Sequence, residues 1–539
     1  MKRRWALPVG MLLLWVVALA WRVPQLAERP MHGDEAVHAV KLDTLWEKGK
    51  YEYDPQEYHG PTLYYCTLPI LWLSGSHTFS DVNEVMLRIV PALFGAGLIL
   101  LVWLMADGLG RWAAFWGGVF MTISPCMVFY SRYYIQETLL VFFTLAAIAA
   151  AYRYARSGRL LWCLLAGACL GLMHATKETW IMSVAAMVAA ALMTLLWTHW
   201  IDDRKVTWRP LIKTRDVTRA AILAVAVSVL LFSTFLTNPR GPLDSILAYN
   251  IYFNRGGGNS VHNHPWDYYL HLLLYTRSSK GPIFSSRLPL LYNFSPPIAW
   301  SEAFIVLLSL AGMLAALWHK GIGRAHLSFV RFLTFYTLFL TLIYCAIPYK
   351  TPWCMMNFLV GMILLAGFGA ASLVRSLRFV PLKVLACLVM MVLGLQLANQ
   401  SYAANFKYSA DRRNPYVYAH TSKDILRFAS DLENLAKLSP EGHDMLISVI
   451  SSENNWPLPW YVRRFSHVGY WPSLAATGSP DQQALVLSAP LIIASSDVEP
   501  ALQQKLGNKY HEDYFSLRPE VFLAVFVKNE LWNASVKQR

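Results

Sequence analysis

Charged residues are scarce in this 539-residue chain, at 15%, whereas a soluble globular protein carries nearer a quarter. The shortage excludes an ordinary water-soluble chain, and a hydrophobic share of 55% points the same way. Acid is the scarcer sign, with 33 Asp and Glu against 47 Lys and Arg and a net charge of +14. Basic balance alone would suit nucleic acid. The cations gather in particular loops, however, which reads as a positive-inside bias with attraction to anionic membrane lipids, and no nucleic-acid partner is expected. Cysteine is thin as well: Cys66, Cys126, Cys163, Cys169, Cys345, Cys354 and Cys387 lie mostly inside apolar runs, and none lies in the C-terminal tail. They form no disulfide framework and no CxxC redox or metal pair. Repeats and low-complexity tracts are missing too.

What the chain has instead is apolar runs of membrane-crossing length. The first follows Met1-Lys2-Arg3-Arg4 and reaches about Trp21. Ala18-Leu19-Ala20 resembles a signal cleavage site, but motif residues follow at once, so an uncleaved first helix is expected. Further spans are read at 84–106, 112–130, 136–155, 160–176, 180–198, 217–237, 298–318, 328–348, 353–374 and 380–399, each near the roughly 20 residues that cross a bilayer as a helix. The expected fold is therefore a polytopic α-helical membrane protein of about eleven transmembrane helices with a small C-terminal α/β soluble domain. Its 21 Trp, 27 Tyr and 26 Phe suit headgroup-level belts.

Loop charge sets the expected orientation. With the N-terminus cytoplasmic, the inner loops hold Arg111; Arg153, Arg156 and Arg159; Arg204, Lys205, Arg209, Lys213 and Arg215; Lys320 and Arg324; Arg375, Arg378 and Lys383. Short outer loops hold only Arg132, Lys177 and Lys350. That asymmetry fits an odd span count in the plasma (inner) membrane, with the C-terminal part outside. A transmembrane domain of 1–399 would carry outer loops 22–83 and 237–297, and an extracytoplasmic α/β domain would occupy 400–539. Arg255-Gly256-Gly257-Gly258-Asn259 reads as a mobile lid or a plain connector. In the tail, Thr421–Leu438 reads as an amphipathic helix capped by Thr421 or Ser422. Met445–Ile450, Pro490–Ala494 and Val521–Val527 read as strands.

Five segments carry chemistry-bearing residues on one expected membrane face. Asp34-Glu35 lies just past the first helix, within His32-Gly33-Asp34-Glu35. Glu57-Tyr58-His59-Gly60-Pro61-Thr62-Leu63 follows in the same loop, and Arg132 leads to Glu137 at the head of an apolar span. A charge there is costly unless it faces a polar cavity or caps the helix. Lys177-Glu178 tips a hairpin, and Lys350-Thr351-Pro352-Trp353 opens another span; a tip ion pair and an interfacial anchor are the plainer readings. His262 and His264 lack a clear third metal ligand. Trp456-Pro457-Leu458-Pro459-Trp460-Tyr461 packs its domain, binds sugar, or serves a scaffold tail that binds a partner. Residue types alone do not choose among acyl, phosphoryl and glycosyl chemistry. An acyltransferase would want a His base beside a Ser nucleophile, and no such pair stands out.

Taken in order, these segments resemble the GT-C superfamily of membrane glycosyltransferases. They are most similar to the glycosyltransferase family 39 group, with its protein O-mannosyltransferases and aminoarabinose transferases, and within it to the flippase-activity-associated branch. His32-Gly33-Asp34-Glu35 resembles the family's first-loop acidic motif. His59-Gly60-Pro61-Thr62-Leu63 resembles its His-Pro-Pro-Leu segment, with Gly60 and Thr62 in place of prolines. Arg132 to Glu137 resembles its Arg-to-acid segment, with Glu where many relatives have Asp. The resemblance implies inverting transfer of a sugar from a polyprenyl-phosphate donor to a glycan, lipid or protein acceptor at the outer face. Asp34 would be the general base, joined by Glu35 and Glu137, while His59, Arg132, Lys177 and Lys350 would bind the donor phosphate. Glu57, Glu178, His262, His264 and Trp456 would make weaker substrate contacts. Metal use varies across the superfamily, which leaves a divalent ion open. The rival is a non-catalytic lipid-linked-sugar transporter or flippase accessory protein, which would not need Asp34-Glu35.

Overall fold

An apolar run in hydrocarbon must satisfy every backbone N–H and C=O within itself, so it folds as a helix. The computed structural model describes residues 2–55, 59–202, 213–257, 260, 262–278 and 298–538. Glu57, Arg204, Lys205, Arg209, Gly258 and Asn259 lie outside the described residues. Along the chain run α1 (Lys2–Arg22), α2 (Gly33–Lys48), α3 (Thr62–Ser74), α4 (Glu84–Leu104), α5 (Ala106–Leu109), α6 (Arg111–Ile123) and α7 (Pro125–Tyr130). Next come α8 (Glu137–Ser157), α9 (Leu160–His174), α10 (Trp180–Trp200), α11 (Thr214–Phe232), α12 (Gly241–Gly257) and α13 (Tyr268–Leu274). A short pair, β1 (Thr276–Ser278) and β2 (Ile298–Trp300), precedes α14 (Ala303–Leu317), α15 (Leu327–Ala346), α16 (Met356–Ser376) and α17 (Val380–Tyr402).

Each of the eleven expected spans falls on a helix, the third as α6 and α7. Among the described residues, six helical stretches are long and apolar enough to cross a membrane: Glu84–Leu104, Glu137–Ser157, Trp180–Trp200, Leu327–Ala346, Pro352–Ser376 and Val380–Lys407. Ala6–Arg22, Leu160–His174 and Ala303–Leu317 are shorter apolar helices. The described parts of the expected outer loops contain helices, α2 and α3 in the first and α12 and α13 in the second.

The chain divides into two compact units. The first comprises Met1–Leu26, Gly49–Ser74 and Val85–Tyr418. Its axis is α16, buried along almost its whole length. Gly312 of α14 and Gly369 of α16 let those backbones touch: a Cβ would sit 2.2 Å from the Leu365 carbonyl oxygen at the first and 2.0 Å from that of Leu308 at the second. Small residues at such crossings are how helices pack where no hydrophobic effect presses them together.

The second unit comprises Ala27–Lys48, Gly75–Glu84 and Ala419–Arg539. A soluble domain starting at 400 is thus cut differently: α17 runs on through Ala403–Lys407, and Tyr416 belongs to the helical unit's core. Here α18 (Asp424–Leu438) buries Ile425, Phe428, Leu432 and Leu435 along one stripe, as an amphipathic helix should. Thr421 does not cap it; its hydroxyl donates to the Met31 carbonyl at 2.5 Å, while Ser422 Oγ accepts the Asp424 N–H at 3.3 Å. Beyond lie β3 (Ile447–Ile450), α19 (Leu458–Tyr461), β4 (Val468–Trp471), α20 (Pro480–Leu487), β5 (Leu491–Ser495), α21 (Glu499–Leu506), β6 (Tyr510–Arg518), β7 (Val521–Lys528) and α22 (Asn529–Gln538). The sheet order is β4-β3-β5-β7-β6. Strand β3 runs parallel to β4 and β5, while β7 runs antiparallel to β5 and β6.

Candidate functional site

Asp34 and Glu35 open α2 in the second unit, and their surroundings separate them. Glu35 is fully buried, with Arg29 Nη2 3.2 Å from its Oε1. Its Oε2 accepts the His32 backbone N–H at 2.9 Å, the reach-back half of a capping box. Asp34 keeps its side chain 51% exposed, with its carboxylate 4.0 Å from His32 Nδ1. The Asp34 N–H donates to that same nitrogen at 3.1 Å. The preceding backbone is fixed as well: the Met31 N–H donates to the Tyr461 hydroxyl at 2.8 Å. A Cβ on Gly33 would lie 3.7 Å from Trp456 Cβ. One acid is therefore committed to holding the turn, and its neighbour is presented.

The remaining candidates belong to the helical unit. His59 Nδ1 lies 2.7 Å from Glu178 Oε2, and the Tyr53 hydroxyl donates to Glu178 Oε1 at 2.7 Å. Burial would raise the Glu178 carboxyl, but the charge and hydrogen bond of His59, with further hydrogen bonds including that of Tyr53, hold it down at about 2. The loop from His59 to Thr62 is stitched to the hairpin tip, since Thr62 N–H and Oγ1 both donate to the Ala175 carbonyl. Gly60 is required there, because a Cβ would meet that carbonyl oxygen at 2.2 Å.

Next to Glu178 in sequence, Lys177 Nζ donates to Glu137 Oε2 at 2.5 Å, and both side chains are buried. Burial alone would lower the Lys177 ammonium, but Glu137 outweighs it and holds it above the usual lysine range. Asn357 Nδ2 donates to the other Glu137 oxygen at 3.2 Å. Arg132 gives its guanidinium to the carbonyls of Arg22, Pro24 and Gln25 and lies 4.7 Å from the Phe406 ring centroid. Lys350 donates to the carbonyls of His264 and Ile347. His262 Nδ1 and His264 Nε2 lie 2.6 Å and 3.3 Å from the Tyr418 hydroxyl. Burial, with His262 and Lys350 nearby, lowers the His264 imidazole.

The expected donor-binding cations therefore differ. His59 is about a quarter exposed, Lys177 is a buried charge with a buried counter-ion, and Arg132 and Lys350 serve backbone. Among the described residues no three His, Cys, Asp or Glu side chains converge as metal ligands. Sequence reasoning missed Tyr53, Asn357, Tyr418 and Glu302. Glu302 is fully buried and accepts from Ser124 Oγ at 2.5 Å, the Cys126 N–H at 2.9 Å and the Tyr416 hydroxyl at 2.8 Å. A lone acid or amide at the edge of an apolar run is the signal that would have found Glu302 and Asn357.

Residues 63–237 match the family described as dolichyl-phosphate-mannose-protein mannosyltransferase. Over 263 residues the chain is 24% identical to Protein O-mannosyltransferase 1 of Drosophila melanogaster, covering 46% of this chain and 30% of that relative. The match thus spans under a third of the relative's length. Among solved structures, ArnT from Cupriavidus metallidurans bound to undecaprenyl phosphate superposes with a TM-score of 0.56 at 16% identity, covering 96% of this chain and 98% of that one. The Archaeoglobus fulgidus oligosaccharyltransferase tethered to an acceptor peptide gives a TM-score of 0.52 at 12% identity, covering 98% and 74%. The chain shares the fold of these two structures, carries a small C-terminal mixed-sheet domain, and with its apolar helices is an integral membrane protein.

Proposed function

We propose that this GT-C-fold chain is a glycosyltransferase that moves a sugar from a polyprenyl-phosphate donor to an acceptor hydroxyl, with inversion, at the extracytoplasmic face of the membrane. The observation that carries the reading is the division of labour in the acidic pair, where Glu35 is buried in a cap and Asp34 is half exposed. Support for the donor class comes from the dolichyl-phosphate-mannose family description and from a structural neighbour that binds undecaprenyl phosphate. The loop-charge asymmetry supports the orientation.

Asp34 takes the acceptor's hydroxyl proton as that oxygen attacks the anomeric carbon. The bond from the anomeric carbon to the phosphate oxygen breaks, and polyprenyl phosphate leaves with the electron pair. A lipid phosphate is already a good leaving group and needs positive charge more than a strong acid. We assign donor-phosphate binding to His59 and Lys177, while Arg132 holds the carbonyls of Arg22, Pro24 and Gln25 and Lys350 those of His264 and Ile347. Glu137 and Glu178 act through Lys177 and His59, and are positioning residues.

Purified protein assayed against a panel of polyprenyl-phosphate sugars tests this. Wild type should release polyprenyl phosphate, to water if no acceptor is supplied. Asp34→Asn should lower release at least ~10²-fold, the low end of a general base's contribution, at an unchanged melting temperature. Full activity in Asp34→Asn removes Asp34 from the chemistry. Donor binding with no release from any donor favours a carrier or flippase-associated role.

A further inference from the structure

In the C-terminal sheet the connections part company between β3 and β5. The chain leaves β3 for β4 on one side and leaves β5 for the β6–β7 pair on the other. Where loops diverge beyond the carboxyl ends of parallel strands they open a crevice, and open α/β sheets bind ligands there. In this chain the loops are Ser451–Pro457 after β3 and Ser496–Val498 after β5.

Their residue types are specific. Ser452, Glu453, Asn454, Ser496 and Asp497 are exposed. The Ser452 hydroxyl donates to Asp497 Oδ2 at 2.8 Å, and its N–H donates to Ser495 Oγ at 3.3 Å, so the two loops hold one geometry. Arg518 Nη2 donates to the Asn454 carbonyl at 2.6 Å. Asn455 Oδ1 is buried with no hydrogen-bond partner among the described residues, and a buried amide oxygen of that kind calls for an outside donor. Half-buried Trp456 ends the first loop with an indole face.

The same loop runs directly into α19, which packs on the start of α2. Trp456 lies against Gly33, and Tyr461 holds the Met31 N–H. Asp34 is the residue after that contact. Two carboxylates, two amides and an indole make a set that receives hydroxyl groups and a sugar ring face. With acids outnumbering the single arginine, it disfavours a phosphate-bearing or otherwise anionic ligand.

We propose that the crevice between β3 and β5, lined by Glu453, Asn455, Trp456 and Asp497, binds a neutral saccharide and that this saccharide is the acceptor whose hydroxyl Asp34 deprotonates. This rests on the glycosyltransferase reading above and specifies its acceptor class.

The test is saturation-transfer NMR on the full-length protein in detergent, with Asp34→Asn to stop turnover and maltotriose and mannotriose as probes. Signal should appear for at least one trisaccharide, survive millimolar inorganic phosphate, and fall at least ~10-fold in Asn455→Ala/Asp497→Asn. Ser496→Arg, an exposed substitution at the mouth, should block binding without touching the core, which covers the case in which the double variant misfolds. Signal unchanged in both variants, no signal from either saccharide, or displacement by phosphate would each overturn the proposal. Donor cleavage by wild type is scored separately. Saccharide binding without donor cleavage keeps the crevice and removes the enzyme; donor cleavage without saccharide binding does the reverse.

Discussion

At Gly60 a side chain has nowhere to go, because the Ala175 carbonyl oxygen would stand 2.2 Å from a Cβ. Gly60→Ala should therefore cost about 1–3 kcal/mol or more, the usual range for overpacking, read as a drop in melting temperature with the His59 loop more open to protease. Glu178 gives a pH signature. Its folded carboxyl lies at about 2 against an ordinary 4.5, so its stabilisation is fully present above about pH 4.5 and lost as pH falls toward 2. The displacement is worth about 3 kcal/mol at most. Acid titration of the melting temperature should be steeper for wild type than for Glu178→Gln. Lys177→Met alone strands a buried Glu137 and should cost about 3–5 kcal/mol, whereas replacing both partners with apolar residues should recover most of that. At this scale the acidic motif was legible because Asp beside Glu just past an apolar run is a local signal. The difference in role between Asp34 and Glu35 was not, since Arg29 and His32 decide it through side-chain placement.

Among the elements, apolar runs were the most readable feature, and each expected span has its helix. What hydropathy hid were helices that alternate polar and apolar residues, such as α2 and α12, and strands too short or too polar to register. Strand β4 has four residues including Gly469, and β6 reads Tyr-His-Glu-Asp-Tyr before its buried end. Both form because a neighbouring strand supplies their ladder partners, which no local pattern encodes. Glu302 shows the same dependence: it ties the heads of α7 and α14 to Tyr416, three segments far apart in sequence. Glu302→Leu should leave the Cys126 N–H and two hydroxyls without an acceptor and cost about 1–3 kcal/mol or more, measurable as lowered thermal stability.

At the level of the whole molecule, the second unit is assembled from three stretches of chain rather than one tail. A boundary near residue 400 is where composition changes, so sequence reading placed the domain there. Composition cannot report that Ala27–Lys48 and Gly75–Glu84 join it through contacts such as Trp460 Nε1 to Glu84 Oε1 at 2.7 Å and Arg463 Nη2 to the Val82 carbonyl at 2.7 Å. A chain ending at Tyr418 should keep its apolar helices but lose the partners of Met31, and limited proteolysis should then cut within 27–48, which the full chain protects.

This three-part assembly has a consequence for biogenesis. Residues 27–48 and 75–84 emerge from the ribosome early, and their partner segment begins only at 419. At roughly 5–20 residues per second, the intervening chain takes roughly a quarter of a minute to a minute to make. Throughout that interval Asp34 and the Arg29, His32 and Glu35 that cap its turn are already translated, yet Tyr461, which holds the Met31 N–H, and Trp456, which lies against Gly33, do not exist. A nascent or prematurely terminated chain therefore lacks the Tyr461 anchor beside Asp34, and the proposed transfer activity should switch on only when synthesis has passed Tyr461.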